Sequence, residues 1–260
     1  MRILVHDSVF NIDFSGLPLG SADRVIVFLH GWGRTGADFN DLASRLARDF
    51  PAYALIQLDL PGFGGSPLVR TGGLSLADYS ALLRALLEKL GVARISIVGH
   101  SLGGRIAIKF AALYPDCVQK LILISAAGIP PQSFRLKTLV AGRAAFRTIF
   151  YSMRDFAYIL RLKNLLGAIF GSRDYQVTHG PLRETLKKVL AEDLRPDAAK
   201  ITVPALIIWG ANDRITPLRD GREYHALIKK SRLEILDGGH FAFMEKPDEC
   251  GQLIRLFLQD

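Results

Sequence analysis

A serine at position 101 stands in the segment Gly-His-Ser-Leu-Gly at 99–103. The apolar run before it, 95–98, predicts a buried strand, and the apolar residues at helical spacing over 105–114 predict a helix. A sharp turn from strand to helix exposes the serine hydroxyl, and the two glycines have no Cβ to clash in that turn. The helix start also favours negative charge beside the serine. The segment therefore predicts that Ser101 is a nucleophile.

A nucleophilic serine needs a base to take its proton and an acid to orient that base. His240 follows an apolar run at 233–236, and it is the candidate base. Asp213 follows another apolar run at 205–210, and it is the candidate acid. Because the carboxyl ends of parallel strands share one edge of a sheet, we expect these side chains to converge there.

The segment His-Gly-Trp-Gly at 30–33 follows the apolar run 25–29 and supplies candidate donors for an oxyanion. We expect the backbone N–H groups of Trp32 and Leu102 to converge on the substrate oxygen. The alternative is a turn whose glycines only provide positive φ angles. We interpret His30 as a structural residue of this loop, since His240 already occupies the position expected of the base.

Four further residues lie near these positions in the sequence. Asp59 follows the strand predicted at 54–58 and either serves as an alternative acid or pins its own loop by hydrogen bonds to the backbone. Asp237 is another carboxylate close to the candidate base. His100 and Phe241 directly adjoin the candidate nucleophile and base, so we expect both to line the substrate pocket.

The order Ser101, Asp213, His240 resembles that of the α/β-hydrolase superfamily, and the resemblance covers nearly the whole chain. Three further segments carry the resemblance: His-Gly-Trp-Gly at 30–33, Asp-Leu-Pro-Gly-Phe-Gly-Gly-Ser at 59–66, and Gly-Ala-Asn-Asp at 210–213. The first two are similar to segments of small carboxylesterases. The resemblance implies an α/β-hydrolase fold, a mostly parallel sheet flanked by helices with a helical cap insertion.

The resemblance also implies an activity. We expect a serine hydrolase that cleaves a small-molecule carboxylic ester through a Ser-His-Asp triad and an acyl-enzyme. No metal and no organic cofactor is expected. Three alternatives remain open: a carbon–carbon bond hydrolase of the same fold, a serine perhydrolase or haloperoxidase side activity, and a non-enzymatic receptor for a small ligand. A receptor has no general need of a complete triad.

The alternation of apolar runs and helical stretches predicts the elements and domains. Strands are predicted at 3–5, 9–14, 25–29, 54–58, 95–98, 120–124, 203–209 and 232–236, the first two as an edge hairpin, and helices at 36–48, 75–90, 105–114, 182–194, 217–228 and 247–258. The alternation breaks near 128 and resumes at 201. We therefore predict a core domain of residues 1–128 and 197–260, with a helical cap at 129–196.

Composition limits the class of protein. At 260 residues, 49% hydrophobic and 22% charged, the chain is long enough for one α/β domain with an insertion. No apolar run reaches the roughly 18 residues of a membrane span, and the first residues show no signal-peptide pattern. We therefore expect a cytoplasmic protein. Cys117 and Cys250 are widely separated, so we expect free buried thiols.

The net charge of +8 is concentrated in the predicted cap. Residues 129–196 hold twelve Lys or Arg against five Asp or Glu, a net charge of +7. No nucleic-acid-binding motif accompanies this charge, so no nucleic-acid partner is expected. Residues 134–170 form a predicted helical stretch in which basic residues stand among apolar ones, which predicts an amphipathic cap over the pocket. A sharper hypothesis is weak contact with anionic lipid or anionic amphiphiles.

Overall fold

The strands predicted from the sequence come together in a single eight-stranded sheet. The computed structural model describes residues 1–69, 71–130 and 180–260, so the helical stretch predicted at 134–170 lies outside the described residues. The strands are β1 Arg2–Val5, β2 Ser8–Gly16, β3 Arg24–Leu29, β4 Tyr53–Asp59, β5 Ile95–His100, β6 Val118–Ile124, β7 Ala205–Gly210 and β8 Ser231–Leu236. Each predicted strand is present, with ends shifted by at most two residues.

The order of strands in the sheet is β1-β2-β4-β3-β5-β6-β7-β8. The predicted hairpin is confirmed, because β1 pairs antiparallel with β2 at the sheet edge, and β2 pairs antiparallel with β4. All remaining neighbours run parallel. The predicted fold, a mostly parallel sheet flanked by helices, is thus confirmed. The parallel arrangement brings the carboxyl ends of β3, β5, β7 and β8 to one edge.

In the described residues the helices are α1 Asn40–Asp49, α2 Leu76–Lys89, α3 Leu102–Leu113, α4 Pro181–Ala191, α5 Arg195–Ala198, α6 Leu218–Leu227, α7 Ala242–Glu245 and α8 Pro247–Gln259. The first turn of the helix predicted at 36–48 is the 3₁₀ turn Gly36–Phe39. The short helices α5 and α7 were not predicted. None of the helices in these three ranges combines the length and apolarity that crossing a bilayer requires.

Helices cover both faces of the sheet and divide the core in two. On one face α1, the 3₁₀ turn before it and α8 bury Phe39, Leu42, Leu46, Ile254 and Phe257. On the other face α2, α3 and α6 bury Leu76, Leu83, Ile106, Phe110 and Tyr224. Cys117 and Cys250 are buried free thiols, as expected. The central strands are buried on both faces, which explains their uninterrupted apolar sequences.

The described end of the predicted cap packs against the core. Leu186 and Val189 of α4 belong to the same buried cluster as α2 and α3. Arg105 of α3 donates a hydrogen bond to the carbonyl of Val189, and Lys109 forms an ion pair of 2.6 Å with Glu192. Helix α4 ends at Ala191 rather than at 194, because the next residue, Glu192, has an extended backbone conformation. The cap boundary at 129–196 stays a prediction.

Candidate active site

Ser101 lies in a strained turn between β5 and α3. Its φ of 52° and ψ of −108° lie in a region that L-residues rarely occupy. A Cβ added to Gly103 would lie 1.9 Å from the carbonyl oxygen of Leu29, and one added to Gly99 would lie 2.5 Å from the carbonyl oxygen of Gly103. Only glycine fits at these two positions. The sheet, the turn and the helix start therefore fix the place of the Ser101 side chain.

His240 and Asp213 meet at the carboxyl ends of β8 and β7. His240 Nδ1 lies 2.8 Å from Asp213 Oδ2, and both side chains are buried. Because the partner is a carboxylate, Nδ1 carries the proton and donates it. The Nε2 atom of a neutral ring is then an unprotonated acceptor. A base in this tautomer can take a proton from a hydroxyl.

The Asp213 carboxylate is saturated with donors. Its Oδ1 accepts the backbone N–H groups of Ile215 at 2.8 Å and Thr216 at 2.9 Å. Burial alone raises the pKa of Asp213, but the hydrogen bond and charge of His240, followed by the hydrogen bonds of Thr216, hold it below its ordinary value. The carboxylate therefore stays ionised beside the imidazole.

Thr216 is a residue of this site that the sequence reasoning missed. Its Oγ1 lies 2.7 Å from Asp213 Oδ2 and 3.2 Å from His240 Nδ1. The sequence offers one signal for it. An Asp side chain commonly accepts the backbone N–H groups two or three residues later, in an Asx turn. That pattern predicts the backbone contacts of Asp213, but not the direction of the Thr216 hydroxyl.

The loop at 30–33 is tied to the turn at Ser101. The carbonyl of His30 accepts the N–H of Gly103 at 3.0 Å. The His30 ring accepts the N–H of Leu60 at Nε2, at 2.9 Å, so its Nδ1 donates to the carbonyl of Gly31 at 2.7 Å. Burial lowers the pKa of His30, although the bond to Gly31 opposes that effect. These contacts agree with the structural role predicted for His30.

The backbone donors predicted for the oxyanion lie in this loop and at the helix start. Leu102 is the first residue of α3, where an N–H has no acceptor within the helix. The Trp32 ring packs edge-on against Phe63, with centroids 5.0 Å apart. A Cβ added to Gly31 would lie 3.5 Å from the Cβ of Ser101, so the loop passes directly beside the serine.

His100 lies beneath the loop that carries His240. Its Nε2 lies 2.9 Å from the carbonyl oxygen of His240, and the side chain is 1% exposed. Burial, and then the proximity of His240, lowers the pKa of His100 to about 3, so the ring is neutral and Nε2 donates. Phe241 is half-buried and packs edge-on against the His240 ring at 5.3 Å. A substrate contact for these two residues stays a prediction.

The two competing carboxylates lie in different surroundings. Asp59 accepts the N–H groups of Gly36 and Gly65, each at 2.8 Å, and thereby pins its own loop. Asp237 is exposed and accepts a hydrogen bond from Asn212 at 3.2 Å. The acid in hydrogen-bond contact with the His240 ring is Asp213.

No group of three His, Cys, Asp or Glu side chains within residues 1–69, 71–130 and 180–260 is arranged to hold a metal ion. The candidate site in these ranges comprises Ser101, the hydrogen-bonded pair Asp213 and His240 with Thr216, and the backbone N–H groups predicted as oxyanion donors. This arrangement has the parts for nucleophilic attack on a carbonyl carbon, proton transfer and stabilisation of an oxyanion.

Comparison with known proteins places the chain among enzymes of this architecture. A pimeloyl-[acyl-carrier protein] methyl ester esterase of Neisseria meningitidis is 30% identical over 251 residues, covering 92% of this chain and 94% of that protein. A 2-hydroxy-6-oxononadienedioate/2-hydroxy-6-oxononatrienedioate hydrolase of Klebsiella pneumoniae is 28% identical over 273 residues, covering 95% and 94%. The crystal structure of the enol-lactonase from Burkholderia xenovorans superposes with a TM-score of 0.75 at 22% identity, covering 100% of both chains.

The chain also matches a protein family over most of its length. Residues 26–253 match the Alpha/beta hydrolase family, a range that runs from β3 to α8 and includes Ser101, Asp213 and His240. The sheet order and the relatives agree with this match. The chain belongs to the alpha/beta hydrolase family.

Proposed function

We propose that this protein is a serine hydrolase that cleaves carboxylic esters of small molecules. One observation supports the proposal above the others: the buried hydrogen bond of 2.8 Å between His240 and Asp213, at the sheet edge where the strained turn presents Ser101. A binding protein has no general need of a buried carboxylate that fixes the tautomer of a histidine at the same sheet edge as such a turn.

In the acylation half-reaction, Ser101 Oγ attacks the acyl carbon while His240 Nε2 accepts the hydroxyl proton. The carbonyl oxygen becomes an oxyanion, which the N–H groups of Leu102 and Trp32 stabilise. The bond from carbon to the alcohol oxygen then breaks, and the imidazolium gives its proton to the leaving alcohol. The products are a free alcohol and an ester of Ser101.

In the deacylation half-reaction, a water molecule attacks the acyl carbon and His240 takes its proton. The bond to Ser101 Oγ breaks and the serine recovers a proton, releasing the carboxylic acid. Asp213 holds the imidazole tautomer in both halves and stabilises the imidazolium that forms. Neither half-reaction, as written, draws on a cofactor.

We further propose that residues 129–196 form a helical cap that shapes the pocket, with residues 1–128 and 197–260 as the core. Helix α4 supports this, since Gly62 and Gly73, in the loop between β4 and α2, lie against it: a Cβ on either would come within 3 Å of Leu182 or Thr185. Acyl specificity would then reside in the segment that connects β6 to α4, together with His100 and Phe241 near the reacting groups.

A panel of p-nitrophenyl esters of graded chain length, with Ser101→Ala as the paired variant, tests the proposal. We expect hydrolysis by the wild type and loss of turnover in Ser101→Ala with unchanged circular dichroism. Labelling by a fluorophosphonate probe should likewise require Ser101. Near wild-type hydrolysis by Ser101→Ala, or a purified protein that neither turns over esters nor takes up the probe, would refute the proposal. The second outcome would favour a receptor.

A second candidate function is hydrolysis of a carbon–carbon bond. It is favoured by the 28% identity to the Klebsiella pneumoniae hydrolase over nearly the full length of both chains. The same nucleophile, base and acid serve that reaction in our scheme. A dienone substrate compared with the ester panel separates the two activities, and a higher kcat/KM for the dienone would replace ester hydrolysis as the assignment.

A further inference from the structure

Thr216 lies between the two partners of the proposed acid–base pair. Its Oγ1 is 2.7 Å from Asp213 Oδ2, 3.2 Å from His240 Nδ1 and 3.2 Å from the carbonyl oxygen of Ser125. The side chain is buried, so the hydroxyl meets these three groups rather than solvent. Nothing in the general chemistry of a Ser-His-Asp triad requires a hydroxyl at this point.

The direction of the hydroxyl proton follows from the distances. A hydroxyl has one proton, and a bond to a carboxylate is shorter and stronger than one to a neutral carbonyl. The 2.7 Å contact with Asp213 is therefore the donated bond, and the 3.2 Å contact with Ser125 is secondary. A lone pair of Oγ1 then faces the N–H of His240, which donates mainly to Asp213.

The backbone holds this hydroxyl in place from both sides. The N–H of Thr216 donates to Asp213 Oδ1 at 2.9 Å, and its carbonyl accepts the indole N–H of Trp209 at 2.7 Å. Trp209 is fully buried and packs on Gly221, where an added Cβ would lie 2.7 Å from the ring. The position of Thr216 is thus set on one side by Asp213 and on the other by the buried core at Trp209.

We propose that Thr216 is a positioning residue for the acid–base pair, an inference that rests on the proposed function. Its backbone binds one carboxylate oxygen of Asp213 and its hydroxyl binds the other, which prevents rotation of the carboxylate. The fixed Oδ2 then aligns the N–H of His240, and hence the Nε2 lone pair, toward Ser101. The hydroxyl acts through Asp213 and His240 and does not touch the substrate.

The test uses Thr216→Val, Thr216→Ser and a control in the core, Ser80→Ala. Valine has the shape of threonine without the donor, whereas serine keeps the donor. Ser80 of α2 is fully buried, and its hydroxyl donates to the carbonyl of Leu76 at 2.8 Å. Ser80→Ala therefore measures what loss of a buried hydroxyl costs outside the pair.

We expect Thr216→Val to lower kcat for a p-nitrophenyl ester by about 10- to 100-fold with KM unchanged, the range for one hydrogen bond to a charged group. Thr216→Ser should stay within about threefold of the wild type. Ser80→Ala should keep the wild-type kcat even where it lowers the melting temperature. In the background of Asp213→Asn, Thr216→Val should cost little more, because the hydroxyl acts through that carboxylate.

Three results would each overturn the inference: wild-type kcat in a folded Thr216→Val, equal losses of kcat in the Val and Ser variants, or fully additive losses with Asp213→Asn. Each of these is distinct from failure of the proposed function, which would appear as retained turnover in Ser101→Ala. If Thr216→Val does not fold, Thr216→Ala removes the same hydroxyl and measures the coupling in the Asp213→Asn background.

Discussion

Replacing Asp213 by Asn exchanges one carboxylate oxygen for an NH₂ group, which only donates. The carboxylate now accepts two backbone N–H groups at Oδ1, and at Oδ2 it accepts the N–H of His240 and the hydroxyl of Thr216. If the NH₂ pointed toward the two backbone N–H groups, donors would face donors and neither of those hydrogen bonds could form. The amide oxygen therefore takes the Oδ1 position, and the NH₂ faces His240.

That orientation forces the wrong tautomer on the base. An NH₂ facing Nδ1 must donate to it, so the ring proton moves to Nε2, where it can no longer accept the proton of Ser101. Hydrogen bonding in the Asn variant is nearly complete, so its fold should persist. We expect kcat to fall by up to roughly 10⁴-fold, about 5.4 kcal/mol of activation free energy, with little change in melting temperature.

Steady-state hydrolysis of p-nitrophenyl acetate measures this loss, with Asp237→Asn as the control because that carboxylate is exposed and bonded only to Asn212 among the contacts described. The control should retain wild-type kcat. An Asp213→Asn enzyme within tenfold of the wild type, or a large loss in Asp237→Asn, would refute the assignment of the acid.

Three further predictions concern the turn, the buried histidine and the basic segment. Gly103→Ala places a Cβ 1.9 Å from the carbonyl of Leu29, so we expect the free energy of unfolding in urea to fall by more than about 2 kcal/mol; a variant as stable as the wild type would contradict the tight turn. The pKa of His100 is lowered to about 3 in the folded protein, so an unfolded chain binds a proton that the native state does not as pH falls below its ordinary value of 6.5. Stability should therefore be lost between pH 6.5 and about 3 with a slope of up to about 1.4 kcal/mol per pH unit from this residue, and His100→Gln should flatten the urea-derived profile; parallel profiles would argue against it. Replacing Arg143, Arg147 and Arg154 by Gln, all outside the described residues, should slow turnover of an anionic ester more than that of a neutral short ester, and the difference should shrink with salt; equal effects at every salt concentration would show that this charge is only solvated surface.

The parts of the fold that depend on local patterns could be predicted from the sequence. The capping box at the start of α2 is an example, since Ser75 accepts the N–H of Asp78 at 3.1 Å and Asp78 bonds back to the N–H of Ser75 at 2.8 Å. The sharp turn at Ser101 is another example. Such a turn has no room for a Cβ at positions 99 and 103, and the sequence has glycine at both. Each depends on residues close in sequence.

Contacts made by long-range packing could not be predicted in the same way. The hydroxyl of Thr216 reaches His240 only because β7 and β8 are neighbours, and no sequence period encodes the direction of that side chain. The buried position of His100 likewise depends on the loop after β8 lying over it. The short helices α5 and α7 have four residues each, too few for a helical period to show.

The central claim is that Ser101 forms a covalent acyl-enzyme with an ester substrate. Rapid mixing with a p-nitrophenyl ester, acid quenching and mass spectrometry of the peptides test it directly. The account predicts a mass increase equal to the acyl group on the peptide that contains Ser101, with one equivalent of p-nitrophenol released in the burst. The adduct should be absent from Ser101→Ala. Turnover without an adduct, or an adduct on another residue, would contradict the account.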